Sequence, residues 1–224
     1  MSSIVVKSAV PIIPRKLHCI WIGDESKRPD NCIESWRNNH REWEFFIWGN
    51  KELQGHQWEN RIHISSMLSR ELNGVADMMR WEILHAHGGV LVDADSYCLS
   101  PLDNDFLHYE CFACWENEIA RPGLIATGYF GSVPNHALLR RIIDDIKHEE
   151  SVTHASAWQT VGPLRLTRSV ERHGLLGLKV LPSYYFIPEH YTGLQTYNVG
   201  PVYANQYWGS TDRLYDSLYK EQLG

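Results

Sequence analysis

Residues 76–95 read A-D-M-M-R-W-E-I-L-H-A-H-G-G-V-L-V-D-A-D. Ala76, Met79, Ile83 and Ala86 recur at helical spacing, so Ala76–His87 is expected to be a helix with one apolar face. Gly88-Gly89 stops it, glycine being suited to the position just past a helix C-terminus. Val90-Leu91-Val92 then predicts a buried strand that delivers Asp93-Ala94-Asp95 to its carboxyl end. If the strand continues through them, Asp93 and Asp95 face one side and Ala94 the other. Two such carboxylates repel unless a cation or a proton compensates. In open α/β sheets, ligands gather at the carboxyl ends of strands. A hard divalent cation such as Mg²⁺ or Mn²⁺ suits carboxylate oxygens and can bridge them to phosphates. Asp77 and Arg80, three apart, share one helix face. Alone they could be a surface ion pair of little energetic weight. An antiparallel return from helix to strand, however, brings their end of the helix beside the two aspartates.

On either side of this segment the pattern stays α/β. Leu17–Ile22 is a compact apolar run closed by Gly23-Asp24 and reads as a first strand. Cys32–Asn39 reads as a helix, and Trp43–Trp48 as a second strand ended by Gly49-Asn50. A β-α-β opening implies parallel pairing. Leu138–Lys147 is expected as a further helix and Lys179–Leu181 as a short strand. No linker, repeat or low-complexity tract divides the 224 residues. The expectation is therefore one domain over 1–224, with a central, mostly parallel sheet flanked by helices.

Nine Trp and eleven Tyr supply many flat amphipathic rings, a surface on which sugars and bases stack, although most such rings serve as core. The net charge of −6, with Lys and Arg scattered, speaks against nucleic acid as a partner. No apolar run approaches the roughly 20 residues of a membrane span. Met1–Val10 lacks the apolar stretch of a signal peptide, so a cytoplasmic location is expected. Five cysteines, an odd number in a long chain, read as buried thiols rather than a disulfide framework; Cys111-x-x-Cys114 has no second pair at zinc spacing. There is no G-x-S-x-G elbow, H-E-x-x-H pair or P-loop. His85 and His87 read as helix-end residues.

The 76–95 stretch resembles the core of the D-x-D-containing sugar-binding glycosyltransferases, the group of yeast-type initiating mannosyltransferases and bacterial capsule sugar transferases. It is also similar to the catalytic domain of the large clostridial glucosylating toxins. I-P-R-K-L-H-C-I-W-I-G (13–23), I-E-S-W (33–36), F-F-I-W (45–48), T-V-G-P (160–163) and A-N-Q-Y-W-G-S (204–210) follow in the family's order, so the resemblance spans about 13–210. It implies a GT-A fold, a nucleotide-sugar donor, with UDP-sugar favoured, a Mn²⁺ or Mg²⁺ ion, and transfer with retention of anomeric configuration. Carried over position by position, Asp93 and Asp95 take the metal side, with Ala94 between them in the same nucleotide site. Asp77 and Arg80 hold the donor sugar's hydroxyls, and Trp21 stacks on the base. Asn205, Trp208 and Ser210 close over the diphosphate. Gln206-Tyr207-Trp208 departs from the frequent His-His-Trp, so the third metal ligand stays open among Asn205, Gln206 and Ser210, with Asn205 the working assignment. The acceptor could be a glycan, a lipid-linked sugar, a protein side chain or a modified nucleobase; a bacterial surface glycan comes first, and protein glucosylation as in the toxins is the runner-up. A non-catalytic module binding a sugar nucleotide or glycan is the alternative of another class.

Overall fold

The computed structural model describes residues 7–196, 200–212, 214–221 and 223. The stretch Met1–Val10, read above for a signal peptide, lies outside the described residues through position 6.

Strand β1 (Lys16–Ile20) leads through a short helical turn, Glu25–Lys27, into helix α1 (Asp30–Asn39) and strand β2 (Glu44–Trp48). Helices α2 (Asn50–Gly55) and α3 (Arg61–Leu68) precede the long helix α4 (Leu72–His87). Then come β3 (Gly89–Val92), β4 (Ser96–Cys98), β5 (Cys111–Asn117), β6 (Arg121–Ile125) and β7 (Tyr129–Ser132). Helices α5 (Ala137–Lys147), α6 (Ala157–Thr160) and α7 (Pro163–His173) lead to β8 (Leu178–Leu181), and β9 (Ala204–Gln206) comes last.

The main sheet runs β2-β1-β3-β7-β5-β6, with β8 also on β5. The β-α-β opening gives the expected parallel pairs β2-β1 and β1-β3, and β8 joins β5 in parallel. β7 runs against both β3 and β5, so the sheet is mixed around that strand. A small β4-β9 ladder lies apart from it.

Period-two alternation sorts the core into two layers. From β3, Leu91 packs with Met78, Trp81 and the α5 residues Leu138, Ile142 and Ile146. Val90 and Val92 pack on the other face with Trp36, Phe112, Tyr129 and Phe186. Cys111 joins the first layer and Cys114 the second, so the two sulfurs of the C-x-x-C lie on opposite faces of the sheet. All five cysteines are buried thiols. The α4–β3 connection needs both of its glycines. Gly88 and Gly89 have φ of +61° and +99°, and a Cβ on Gly89 would stand 2.6 Å from the Lys16 carbonyl of β1. No helix among the described residues is long and apolar enough to cross a membrane.

Candidate active site

β3 stops at Val92, and Asp93-Ala94-Asp95 form a turn, closed by Ser96 N–H and Oγ donating to the Asp93 carbonyl at 3.2 and 2.7 Å. The alternation argued for the two aspartates therefore does not apply. Both nevertheless line one cavity of about 1030 Å³, because the turn swings Asp95 back towards the chain's C-terminal loop. Ala94 lines it too, and also packs under Trp21.

Arg80 organises the floor. Its Nη2 donates to Asp93 Oδ1 at 2.7 Å and its Nη1 donates to the Thr127 carbonyl, while Nε stands 3.5 Å from Asp77 Oδ1 without a hydrogen bond. Thr127 Oγ1 donates to Asp77 Oδ1 at 3.3 Å. Thr127 belongs to the break Ala126–Gly128 between β6 and β7, where the chain leaves β5; this break exposes a carbonyl to Arg80. A Cβ on Gly128 would lie 2.5 Å from Asp93, and one on Gly162, in T-V-G-P, 2.5 Å from Asp77, so glycine lets backbone close on both carboxylates. The helix-to-strand return thus does bring Asp77 and Arg80 to Asp93.

Asp95 is 5% exposed. The Gly209 amide donates to its Oδ2 at 2.6 Å and Gln206 Nε2 to its Oδ1 at 3.0 Å; Tyr129 Oη in turn donates to Gln206 Oε1 at 2.8 Å. Burial, reinforced by the Asp93 charge, pushes the Asp95 carboxyl up to about 6 against those two donors. Burial does the same to Asp77, also up to about 6, with the Arg80 charge pulling the other way. Two buried carboxyls with raised proton affinity around one cavity mark it as a candidate functional site. Asp93 and Asp95 offer the hard carboxylate oxygens that a divalent cation takes, but Gln206 turns its NH2 donor, not its oxygen, to Asp95 and engages Oε1 with Tyr129, and among the described residues no third acidic, histidine or cysteine side chain completes the pair.

Of the C-terminal assignments, Trp208 and Ser210 line the cavity and Asn205 does not. On β9, Gln206 lies opposite Ser96 and turns to Asp95, so Asn205, opposite Tyr97, points the other way. Trp208 has φ of +54°, an uncommon backbone for a bulky residue, and its indole donates to the Glu189 carbonyl.

Trp21 follows the expected alternation: Ile20 and Ile22 pack in the first core layer and Trp21 with Cys19, Ile33 and Ala94. It lines the cavity at only 8% exposure, its indole bonded to the Asp24 carbonyl and the Tyr215 ring set edge-on at 4.9 Å. Tyr215 also reaches Asp95, and burial, then those carboxylates, raises its phenol well above the ordinary range. Thr127, Gly128, Gly209 and Tyr215 escaped sequence reasoning. Gly209 and the Thr127 carbonyl act through backbone atoms, which leave no side-chain signature, the Thr127 hydroxyl belongs to no motif, and Tyr215 lies past the last recognisable one.

The family model described as "Glycosyltransferase sugar-binding region containing DXD motif" matches residues 26–113, which hold Asp77, Arg80, Asp93 and Asp95. Inositol phosphoceramide mannosyltransferase 1 of Schizosaccharomyces pombe is 26% identical over 165 residues, 69% of this chain and 50% of the relative. Its paralogue, inositol phosphoceramide mannosyltransferase 2, is 24% identical over 176 residues, 74% of this chain and 48% of the relative. The chain thus spans about half the length of the curated relatives it matches. Among solved structures, the PaToxG glycosyltransferase superposes with a TM-score of 0.55 at 13% identity, covering 72% of this chain and 69% of that one. The ligand-free glycosyltransferase domain of the YGT toxin gives 0.56 at 9%, covering 76% and 80%. A glycosyltransferase involved in glycosylating the major capsid of PBCV-1 gives 0.53 at 13%, covering 92% and 98%. The resemblance to D-x-D glycosyltransferases, to yeast mannosyltransferases and to toxin domains is borne out, and so is the GT-A type α/β architecture.

Proposed function

We propose that this chain is a glycosyltransferase that moves a sugar from a nucleotide-sugar donor to an acceptor hydroxyl, with retention of configuration. The observation that carries the reading is the convergence of Asp77, Arg80, Asp93 and Asp95 on one cavity, with Asp77 and Asp95 both held up to about 6. Trp21 offers an aromatic face to the base, Asp77 and Arg80 meet the donor sugar, and Trp208 and Ser210 stand over the diphosphate. The bond between the anomeric carbon and the diphosphate oxygen breaks, its electron pair leaving on the diphosphate. The acceptor oxygen forms the new bond, and its proton passes to the departing phosphate or to water. Asp93 and Asp95 would hold a divalent cation, Mn²⁺ or Mg²⁺, which when bound supplies positive charge opposite the leaving group. For the third ligand position Asn205 turns away from the cavity and Gln206 presents its donor side, which leaves Ser210, on the cavity wall, as the candidate with an oxygen to offer. Arg80 fixes Asp93 and the Thr127 carbonyl, so it acts by positioning as much as by contact.

We read the chain as one catalytic unit and favour a UDP-sugar donor and a bacterial surface glycan acceptor. The yeast relatives are named for mannosyl transfer to an inositol phosphoceramide, and the toxin likeness keeps protein acceptors open, so the test spans both. The assay is hydrolysis of UDP-, GDP- and dTDP-sugars in Mn²⁺, with and without glycan, lipid and protein acceptors. Metal-dependent release of nucleotide from one donor, abolished by EDTA, is the expected result. A protein that neither hydrolyses any donor nor binds any nucleoside diphosphate in Mn²⁺ is the non-catalytic or unrelated module instead.

A further inference from the structure

The sheet order places more than the donor. Reading β1-β3-β7-β5-β6, Trp21 follows β1 and the two aspartates follow β3. Thr127 and Gly128 precede β7, and Glu116 and Arg121 lie on β5 and β6, at the far side of the aspartates from Trp21. Both line the same cavity, with Trp158 of α6 and Tyr191. The Arg121 guanidinium lies 4.8 Å from the centre of the Trp158 ring and 5.9 Å from that of Tyr191. Its Nη2 donates to Tyr191 Oη at 2.7 Å and its Nε pairs with Glu116 Oε1 at 3.4 Å. Glu116 is 8% exposed and is also held by His190 Nε2 at 3.3 Å. Trp208, flanked in sequence by Tyr207 and Gly209, whose amides both bond Asp95, packs 5.3 Å from Tyr191 ring to ring and so joins this wall to the Asp95 loop.

This cluster has the parts that recognise a polyol. Aromatic faces cover the C–H side of a ring. A carboxylate accepts from neighbouring hydroxyls while a guanidinium donates to others, and charge-assisted bonds of this kind are the strong ones. Glu116 and Arg121 offset each other's charge, so the wall carries no net attraction for an anion. We infer that Glu116, Arg121, Trp158 and Tyr191 form the acceptor subsite, and that it takes an uncharged hydroxylated six-membered ring, a pyranose or a cyclitol, rather than a phosphorylated or peptide group. The inference rests on the donor reading above only in calling the ring an acceptor.

The test is direct binding by saturation-transfer NMR, in diamagnetic Mg²⁺ with UDP and with GDP in separate samples. The ligands are the methyl α-glycosides of mannose, glucose and galactose, then myo-inositol, with mannose 6-phosphate as the charged comparator. At least one neutral ring should bind, and at least fivefold more weakly to Trp158→Ala and to Arg121→Ala. Trp158→Phe, which keeps a ring face and guards against a folding defect in the alanine variant, should retain more than half of the signal. Glu116→Gln leaves Arg121 uncompensated and should raise mannose 6-phosphate binding at least threefold, a shift that a merely structural role would not produce. Absence of binding by every neutral ring, equal binding in Trp158→Ala and Arg121→Ala, or a wild-type preference for mannose 6-phosphate overturns the inference. Calorimetric titration of UDP and GDP on the same samples is a separate readout: if neither nucleotide binds, the donor reading falls, while the ring-binding result still decides the subsite.

Discussion

Asp95 is the residue on which the site turns, since both of its oxygens are already held by Gly209 and Gln206 while its proton affinity is raised. Asp95→Ala removes a charge and leaves two donors facing nothing, so turnover in Mn²⁺ should fall to background while the circular dichroism spectrum stays native. Residual activity above about a hundredth of wild type would argue against a ligand role, given that fixed charge at a developing anion contributes on the order of 100- to 1000-fold. Arg80 makes a different demand. Lysine keeps the charge but has no planar fork to hold Asp93 and the Thr127 carbonyl at once. Arg80→Lys should therefore cost on the order of 100-fold in kcat/KM through misplacement of Asp93. Unchanged kinetics in that variant would reduce Arg80 to a structural cation. Trp21 is partly covered by Tyr215, so its contribution to nucleotide binding rests on the face that remains. Trp21→Ala should weaken UDP binding by about tenfold in calorimetric titration, the lower end of aromatic–base stacking at roughly 1–3 kcal/mol per base. Equal affinity would return Trp21 wholly to the core.

At the scale of elements, the helix–glycine–strand unit was the most legible part of the chain. The end of α4, the Gly88-Gly89 stop and the β3 run follow from periodicity and backbone sterics alone; only the start of α4 lies earlier, at Leu72 rather than Ala76. β1, β2, α1, α5 and β8 also lie where their patterns place them, to within about two residues. The segment 111–132 did not announce its strand–break–strand form. β5 and β7 are buried on both faces, so they show no alternation, and the break at Thr127 is dictated by partners distant in sequence. Within β1 a buried histidine offers a pH test. His18 bridges the Gly88 carbonyl through Nε2 at 2.9 Å and accepts from Trp48 Nε1 through Nδ1 at 3.1 Å. Burial lowers it to about 4 from 6.5, despite the Gly88 carbonyl. The folded state therefore binds fewer protons, so this stability is present above pH 6.5 and is lost as pH falls towards 4, in all roughly 3–4 kcal/mol. His18→Gln can keep both hydrogen bonds without titrating. Urea unfolding across pH 7 to 4.5 should show the acid slope of wild type reduced by about one proton in the variant; identical slopes would mean that His18 is not the group responsible.

Across the whole molecule, sheet order lays out the reaction path. β1 brings an aromatic face, β3 the carboxylates, the β6–β7 break their backbone partners, and β5-β6 a polyol-binding wall. Charges and glycines made the middle of this path readable, while its two ends depend on residues such as Tyr215 and Glu116 that carry no motif. The layout has a thermodynamic consequence. A ligand bound only by the folded state stabilises it by an amount set by concentration over Kd, about 2.7 kcal/mol at a hundredfold excess. For a chain of this length that corresponds to roughly 5–10 °C in Tm. UDP or the preferred nucleoside diphosphate, added with Mn²⁺ at pH 7.5, should produce such a shift, and neither partner alone should produce more than a small part of it. The sign of the pH effect follows from the two raised carboxyls. Their folded-state values of about 6 exceed the ordinary 3.8, so the protonated forms persist to higher pH in the folded protein. Below about 6, protons compete with the cation for Asp95 and neutralise Asp77, and ligand binding weakens by up to about tenfold per pH unit for each proton displaced. The Tm shift on adding Mn²⁺ and nucleotide should therefore shrink steadily from pH 7 to pH 5, measured as a difference at each pH so that other titrating groups cancel. In Asp95→Asn, which cannot take up that proton, the remaining shift should be small and nearly independent of pH. A shift that stays constant from pH 7.5 to 5 in the wild type would show that the ligand is held by groups other than these carboxyls.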